Sequence, residues 1–204
     1  MTVTKTDPVE FGIPPPIPIR RFTVEEYQRL GEVGVLTGDD RVELLEGWIV
    51  GKMIHNPRHD ATVDRANETI TGRLPPGWRV RVQCSVTTGD SEPEPDLSVV
   101  RGPAERYVAR HPQADKAALL IEVADTSLTR DRDFKGRIYA RARVHVYWII
   151  NLIEDQIEVY TDPAGPEASP GFATRRDYQL DDAFPLTVEG KEVCRIPVKD
   201  LIAR

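Results

Sequence analysis

Residues 78 to 88 alternate strictly, with Val80, Val82, Cys84 and Val86 on one side and Arg79, Arg81, Gln83 and Ser85 on the other. Two residues is the side-chain period of a strand, so this stretch is expected to be a half-buried strand. From Ala117 to Val123 the chain is almost unbroken apolar, the pattern of a central strand covered on both faces. Leu97 to Val100 predicts another strand, entered through Pro95, which suits a strand's first residue. His145 to Leu152 and Gln156 to Tyr160 follow as strands with a short turn between them, and residues 41 to 54 form a short extended pair turning at Glu46-Gly47.

Helical spacing takes over elsewhere. Thr23-Val24-Glu25-Glu26 matches a capping box, and Tyr27 and Leu30 continue its apolar stripe. Ala61, Ala66 and Ile70 mark an amphipathic helix over 58 to 73, stopped by Pro75-Pro76-Gly77. A third helix is predicted over 129 to 142, with Phe134, Ile138 and Ala142 on one side and Ser127 or Thr129 as its N-cap. After the Pro/Gly-rich loop from Asp162 to Gly171, the tail reads as a strand or hairpin plus a short terminal segment. Residues 1–21, with Ile13-Pro14-Pro15-Pro16-Ile17-Pro18-Ile19, are expected to be a proline-rich arm, and 22–204 one domain. The order is helix, strands, helix, three strands, helix, two strands, which is the signature of a mixed α/β core.

The bulk properties narrow the class. The 204 residues are 40% hydrophobic and 29% charged, a globular composition long enough for a real core. A net charge of -6 gives no global attraction to nucleic acid. Cys84 and Cys194 lack metal-ligand spacing and cannot build a disulfide framework. With no leader-like or membrane-length apolar run in the sequence, a cytoplasmic protein without membrane contact is expected.

Against this background a few polar residues stand out. Glu122 interrupts the Ala117–Val123 run, where an unpaired carboxylate is expensive, so a cation, backbone donors or a metal must compensate it. Asp96, between Pro95 and Leu97, is either a turn residue capping the strand entry or a functional acid. Lys135 lies four residues after Asp131, where an ordinary helical ion pair would be worth a few tenths of a kcal/mol, roughly. Glu43 and Glu46 read by themselves as surface charges beside a turn. His59, in Pro57-Arg58-His59-Asp60, is expected to stand alone at a helix start, without the paired spacing of a histidine zinc site. No GxSxG elbow, P-loop or GxGxxG occurs, which removes the usual support for acyl transfer and nucleotide binding.

Read in order, several segments resemble the Uma-two family of restriction-endonuclease-like proteins, within the PD-(D/E)XK nuclease superfamily. They are Val42-Glu43-Leu44-Leu45-Glu46-Gly47, Asn56-Pro57-Arg58-His59, Pro95-Asp96-Leu97, Ile121-Glu122-Val123 with Ser127, and Asp131-Arg132-Asp133-Phe134-Lys135 with Tyr139-Ala140-Arg141-Ala142. Val144 and Tyr147-Trp148-Ile149-Ile150 complete the set, and the resemblance runs from about Phe22 to Tyr160. It implies a restriction-endonuclease-like α/β fold, a mixed central sheet flanked by helices. By position it makes Asp96 and Glu122 metal ligands, together with the Val123 carbonyl. Lys135 replaces the lysine expected at Ala124, Glu43 is an additional upstream acid, and Ser127, Asp131 and Tyr139 are supporting residues. The chain departs from the pattern at Trp48, Val146 and Asn151, where acids are usual.

The resemblance implies hydrolysis of DNA phosphodiester bonds assisted by Mg²⁺ or Mn²⁺, with Arg58, Arg79, Arg81 and Arg132 drawing in the substrate and a homodimer able to cut both strands. Two other readings stay open at this point. One is a nuclease-fold protein that binds nucleic acid or a protein partner without cutting, and the other a structural domain in which Glu122 and Lys135 are a buried ion pair.

Overall fold

Every residue of the strand Leu119–Ala124 is buried, the expected outcome for a run that is apolar except at Glu122. The computed structural model describes residues 19–167 and 169–204, so all but the end of the expected proline-rich arm lies outside the described residues. In chain order the elements that matter are α1 (Val24–Glu32), β1 (Val42–Leu45), β2 (Trp48–Gly51), α2 (Pro57–Thr71), β3 (Trp78–Val82), β4 (Leu97–Arg101) and β5 (Leu119–Ala124). They continue with α3 (Gly136–Arg141), β6 (Val146–Asn151), β7 (Gln156–Pro163), β8 (Phe172–Tyr178), β9 (Ala183–Val188) and β10 (Lys191–Pro197). The central sheet has six strands in the order β3-β4-β5-β6-β7-β8. The β5–β6 pair is parallel and the other pairs are antiparallel. A parallel pair needs a crossover connection, and the segment holding α3 supplies it.

The period-two alternation of β5 divides the core. Leu119, Ile121 and Val123 join Val63, Ala66 and Ile70 of α2 on one face, while Leu120 and Ala124 join Ile138 and Tyr139 of α3 on the other. Each large aliphatic side chain buried this way contributes about 1.5–3 kcal/mol. The tail completes the α2 face: β9 and β10 form a separate hairpin whose Phe184, Leu186 and Ile196 enter the same core, with Phe184 edge-on to Trp148 at 4.7 Å. These apolar tail residues are therefore buried within the chain, not offered to a second copy.

Two elements differ from the sequence pattern. The strand expected over 78 to 88 ends at Val82, whose partner Leu97 is the first residue of β4. Gln83 then turns left-handed (φ 46°) with its N–H on the Asp96 carbonyl (2.9 Å), so Val86 is carried into the α3-side core. The helix expected over 129 to 142 opens as a π-helical turn, Arg130–Lys135, in which the Gly136 N–H reaches the Asp131 carbonyl five residues back. Neither proposed N-cap makes a side-chain cap: Thr129 already has helical angles, and the Ser127 hydroxyl donates to the Asp131 carboxylate.

Glu158 on β7 is fully buried and fastens the crossover to the sheet, accepting hydrogen bonds from Arg132, Asn151 and Tyr160, with Arg175 3.4 Å away. Burial pushes its carboxyl up, but the Arg132, Tyr160 and Asn151 hydrogen bonds and the Arg175 charge outweigh it and hold it below its ordinary range. A lowered carboxyl contributes stability that is present above its unfolded pKa and lost as pH falls through the folded value. Arg132→Ala, which leaves Glu158 buried with fewer donors, is expected to cost about 3 kcal/mol near neutral pH. The penalty should shrink in acid as Glu158 protonates, and urea unfolding of both proteins across the acid range checks it.

Candidate active site

Lys135, buried to 3% exposure, stands at the meeting point of four elements that each bring a carboxylate. Its Nζ donates to Glu122 Oε1 of β5 at 3.0 Å and lies 3.4 Å from Glu43 Oε2 of β1. Asp96 sits at the entry of β4 and Asp131 in the π turn, and both line the same cleft. Glu43, Asp96, Glu122 and Asp131 are all buried. The predicted Asp131–Lys135 helical pair does not form among the described residues, because the π turn directs the lysine to Glu122 and Glu43 instead.

Local structure explains how each acid arrives. Glu43 is fixed by the β1–β2 hairpin, whose turn residues Glu46 (φ 49°) and Gly47 (φ 77°) are both left-handed. A Cβ at position 47 would come within 2.5 Å of Arg21 Cβ, so glycine is required there. The turn is clamped to the crossover, since Arg137 and Arg141 both donate to the Glu46 carboxylate at 2.6–3.1 Å. Glu43 and Glu46 are thus a buried acid and an ion-paired one, not the surface charges their sequence context suggested. Glu43 also accepts the Glu94 N–H at 3.0 Å. Asp96 accepts the Val123 N–H at 2.8 Å, which ties the entry of β4 to the strand carrying Glu122. Tyr139 and Lys135 both donate to the same Glu122 oxygen, Oε1.

The electrostatics are lopsided: one ammonium serves four carboxylates. Burial drives Glu122 well above the ordinary carboxylate range, opposed by Lys135 and reinforced by Asp131, Asp96 and Glu43. Asp131 is raised for the same first reason, although Lys135 and the Ser127 hydroxyl pull it down. Lys135 is the most secure charge here: burial lowers it, but Glu122, Glu43 and Asp131 outweigh that and hold it protonated. Asp96 goes the other way. Burial raises it, and hydrogen bonding and charge from His59, the Val123 amide and Lys135 bring it below the ordinary value. Among the described residues, Asp131 Oδ1 is buried with no hydrogen-bond partner.

These features decide whether a cation fits. The donors are hard oxygens, the acids outnumber the ammonium, and Asp131, which carries an orphaned carboxylate oxygen, lines a small cavity of about 50 Å³. That is the donor set of Mg²⁺ or Mn²⁺. Asp96, Glu122 and Val123 all line the cavity, as do Ser127 and Asp131.

The histidine expected to stand alone does not. His55 lies four residues before His59 and stacks on it, with centroids 3.9 Å apart and 25° between ring planes. The spacing was legible in His55-Asn56-Pro57-Arg58-His59. Asn56 and Pro57 begin α2, with the Asn56 side chain accepting the His59 N–H at 3.0 Å, so the pair straddles a helix start and not one helical face. His59 Nε2 is 3.3 Å from Asp96 Oδ2. Burial lowers the His59 imidazole, but Asp96 and Asp60 outweigh it and leave it above its ordinary value.

The basic residues expected to receive substrate are differently placed. Arg58 bonds the Leu152 and Ala203 carbonyls and pairs with Asp155, and Arg132 is held by Glu158 and Glu154. Arg79 and Arg81 border a different groove, with Arg81 over the Tyr107 ring. Arg130, which sequence reasoning passed over, lines the cleft itself. Among the described residues its Nε is without a partner and its guanidinium reaches the Gly51 carbonyl at 3.5 Å. Trp48, Val146 and Asn151, the departures from the expected pattern, are not among the residues lining the cleft. Asn151 has a structural task in the β6–β7 turn, where its amide NH₂ donates to Glu154 and Glu158 at 2.8 Å, which an aspartate could not do.

Comparison with known proteins points one way. The family model Uma2, described as "Putative restriction endonuclease", matches residues 24–191. A solved structure with the same fold is that of "a putative nuclease belonging to DUF820" from Anabaena variabilis ATCC 29413. It superposes with a TM-score of 0.63 at 19% identity, over 90% of this chain and 97% of that one. No curated protein matches the sequence. Among the described residues no helix is long and apolar enough to cross a membrane.

Removing Lys135 leaves the buried acids uncompensated, so Lys135→Met is expected to destabilise the metal-free protein by about 3–5 kcal/mol. Glu122→Gln removes one of four mutually repelling acids and should be near neutral or stabilising under the same conditions. Urea unfolding of the three proteins in chelator checks both; equal losses in the two variants would mean that the pair, not the charge excess, dominates.

Proposed function

The chain belongs to the Uma2 family of restriction-endonuclease-like proteins, and on that premise we propose that it is a metal-dependent endonuclease hydrolysing DNA phosphodiester bonds. The observation that carries this reading is the convergence of Glu43, Asp96, Glu122 and Asp131 on Lys135, with Asp131 Oδ1 buried and unpartnered. A structural ion pair needs one acid for one lysine. This cluster holds three more, an excess that is costly unless a further cation joins it.

Asp96 and Glu122, with the Val123 carbonyl, are the ligands of this reading. A bound Mg²⁺ or Mn²⁺ would supply Lewis acidity at the scissile phosphate and a more acidic water. The chain's own residues do the rest. The Val123 N–H and His59 hold Asp96 ionised and oriented. Tyr139 and Lys135 both donate to Glu122 Oε1, so the carboxylate's other oxygen is the one that would hold the cation. Lys135, kept protonated by the acids around it, orients the attacking water or steadies the charge that develops on the phosphate. Glu43, 3.4 Å away, also holds the ammonium. Since the chain carries a net charge of -6, phosphate approach depends on local cations, and Arg130 at the cleft is the guanidinium for that role.

With Mg²⁺ or Mn²⁺, the wild type is expected to nick supercoiled plasmid or cut single-stranded DNA, and Asp96→Ala and Lys135→Ala to abolish it. Cleavage surviving both substitutions would sink this assignment of the site. Arg130→Ala removes one charge-assisted phosphate contact of about 1.5 kcal/mol and should raise KM roughly tenfold with little change in kcat. Steady-state kinetics on an oligonucleotide substrate separates the two.

A further inference from the structure

The connection between β2 and α2 is five residues long, and all five, Lys52 to Asn56, line the carboxylate cleft. Both of its ends are fastened. The Lys52 N–H donates to the Arg41 carbonyl at 2.8 Å and its ammonium pairs with Glu94 at 2.6 Å, while the Asn56 side chain caps α2 and donates to Asp125. Between these anchors the chain presents Met53, Ile54 and His55. Met53 is 40% exposed and Ile54 85%, and among the described residues neither joins the two apolar cores. A single exposed aliphatic side chain is ordinary on a protein surface. Two in succession at the mouth of a buried, acidic site serve neither the fold nor the chemistry of the acids.

His55 is the third member of this lip. One face of its ring lies on His59, with centroids 3.9 Å apart. The Gln83 amide nitrogen, at 3.4 Å, and Asp60 Oδ1, at 3.6 Å, stand beside its Nδ1. His59 is itself buried and held by Asp96 and Asp60, so the ring beneath His55 is fixed. His55 nevertheless keeps 28% of its side chain exposed. A ring already held in place loses little conformational entropy when a ligand packs on it. At the root of the lip Arg130 reaches the Gly51 carbonyl at 3.5 Å, which sets a guanidinium next to this apolar and aromatic surface.

A nucleotide is divided in the same way, with a phosphate for the cation and a base with two apolar faces. In a stacked duplex those faces are covered by neighbouring base pairs, and a side chain meets them only where the base is unstacked. We infer that Met53, Ile54 and His55 grip the base beside the scissile phosphate, and that the DNA taken by this site is unpaired there, as a single strand or a locally opened duplex. The inference rests on the cleavage reading for the position of the phosphate. Stacking and apolar contact read no hydrogen-bond pattern, so the grip tolerates any base.

The test reads binding by the full chain in Mg²⁺, using Glu122→Gln, in which a proposed metal ligand is lost and the lip is intact. Fluorescence anisotropy compares a labelled single strand, the same strand in a perfect duplex, and that duplex with a central run of mismatches. The single strand and the mismatched duplex are expected to bind at least about tenfold more tightly than the perfect duplex. Adding Ile54→Ser should weaken the single strand roughly five- to tenfold and the duplex little. His55→Ala should act likewise, and His55→Phe, which keeps a ring, should restore binding. In carbon–proton spectra the Ile54 δ1 methyl should move upfield under the ring current of the base. Equal binding of single strand and duplex, binding of neither, or an Ile54→Ser protein as tight as its parent would each overturn the lip. A wild type that cuts nothing, with the single-strand preference present and lost in Ile54→Ser, would sink the cleavage reading and leave the lip standing.

Discussion

A single ammonium buried among four carboxylates is the constraint from which the rest of the architecture follows. Lys135 cannot leave, because Glu43 and Glu122 would then face each other without a cation. Nor can it compensate all four acids, since burial and mutual repulsion already keep Glu122 and Asp131 raised above their ordinary range. A fold optimised for stability alone would replace such a cluster with apolar side chains of similar volume. Here β1, the entry of β4, β5 and the crossover are all held in register around it, which is the pattern of a site kept at a cost in stability.

The crossover segment does most of the holding. It carries Arg130, Arg132, Lys135, Arg137 and Arg141, and the structure separates their tasks. Arg132 reaches out to buried Glu158, and Arg137 and Arg141 clamp Glu46 on the hairpin that carries Glu43. With both flanks pinned, Lys135 turns inward and Arg130 lies along the cleft. The π-helical turn makes this division workable. Within it Lys135 pairs with Glu122 and Glu43, while the Asp131 carboxylate takes the Ser127 hydroxyl and, among the described residues, keeps Oδ1 without a hydrogen-bond partner.

Much of this was legible in the sequence for one physical reason: a charge inside an apolar run must be compensated. That is why Glu122 could be singled out, and why the α/β order and the buried central strand could be read. Where charges sit among other charges the same logic fails. Glu43 and Glu46 lie side by side near a turn, and only the tertiary contacts of Arg137, Arg141 and Lys135 separate a buried acid from a clamped one. Arg58 and Arg132 looked available because their acceptors, Asp155, Glu158 and the Leu152 carbonyl, are distant in sequence. The alternation from 78 to 88 was real but did not determine strand length, which the start of β4 and the left-handed Gln83 set instead. His55 escaped notice because Asn56-Pro57 starts a helix between the two rings, hiding a spacing that matters through stacking.

On the proposed reading Lys135 stands in for the lysine that the family pattern puts at position 124, and packing explains the exchange. Two residues after Glu122 on the same face of β5, position 124 lies fully buried among Leu45, Val86, Tyr139 and Ile149. A lysine there would have to pass its stem through that core before its ammonium met an acid. Ala124 fills the space without strain, and the π turn delivers Lys135 to Glu122 Oε1 from the facing helix. What such chemistry needs is an ammonium at a point in space beside the acids. The backbone position that supplies it is free to change wherever the core packs better for the exchange.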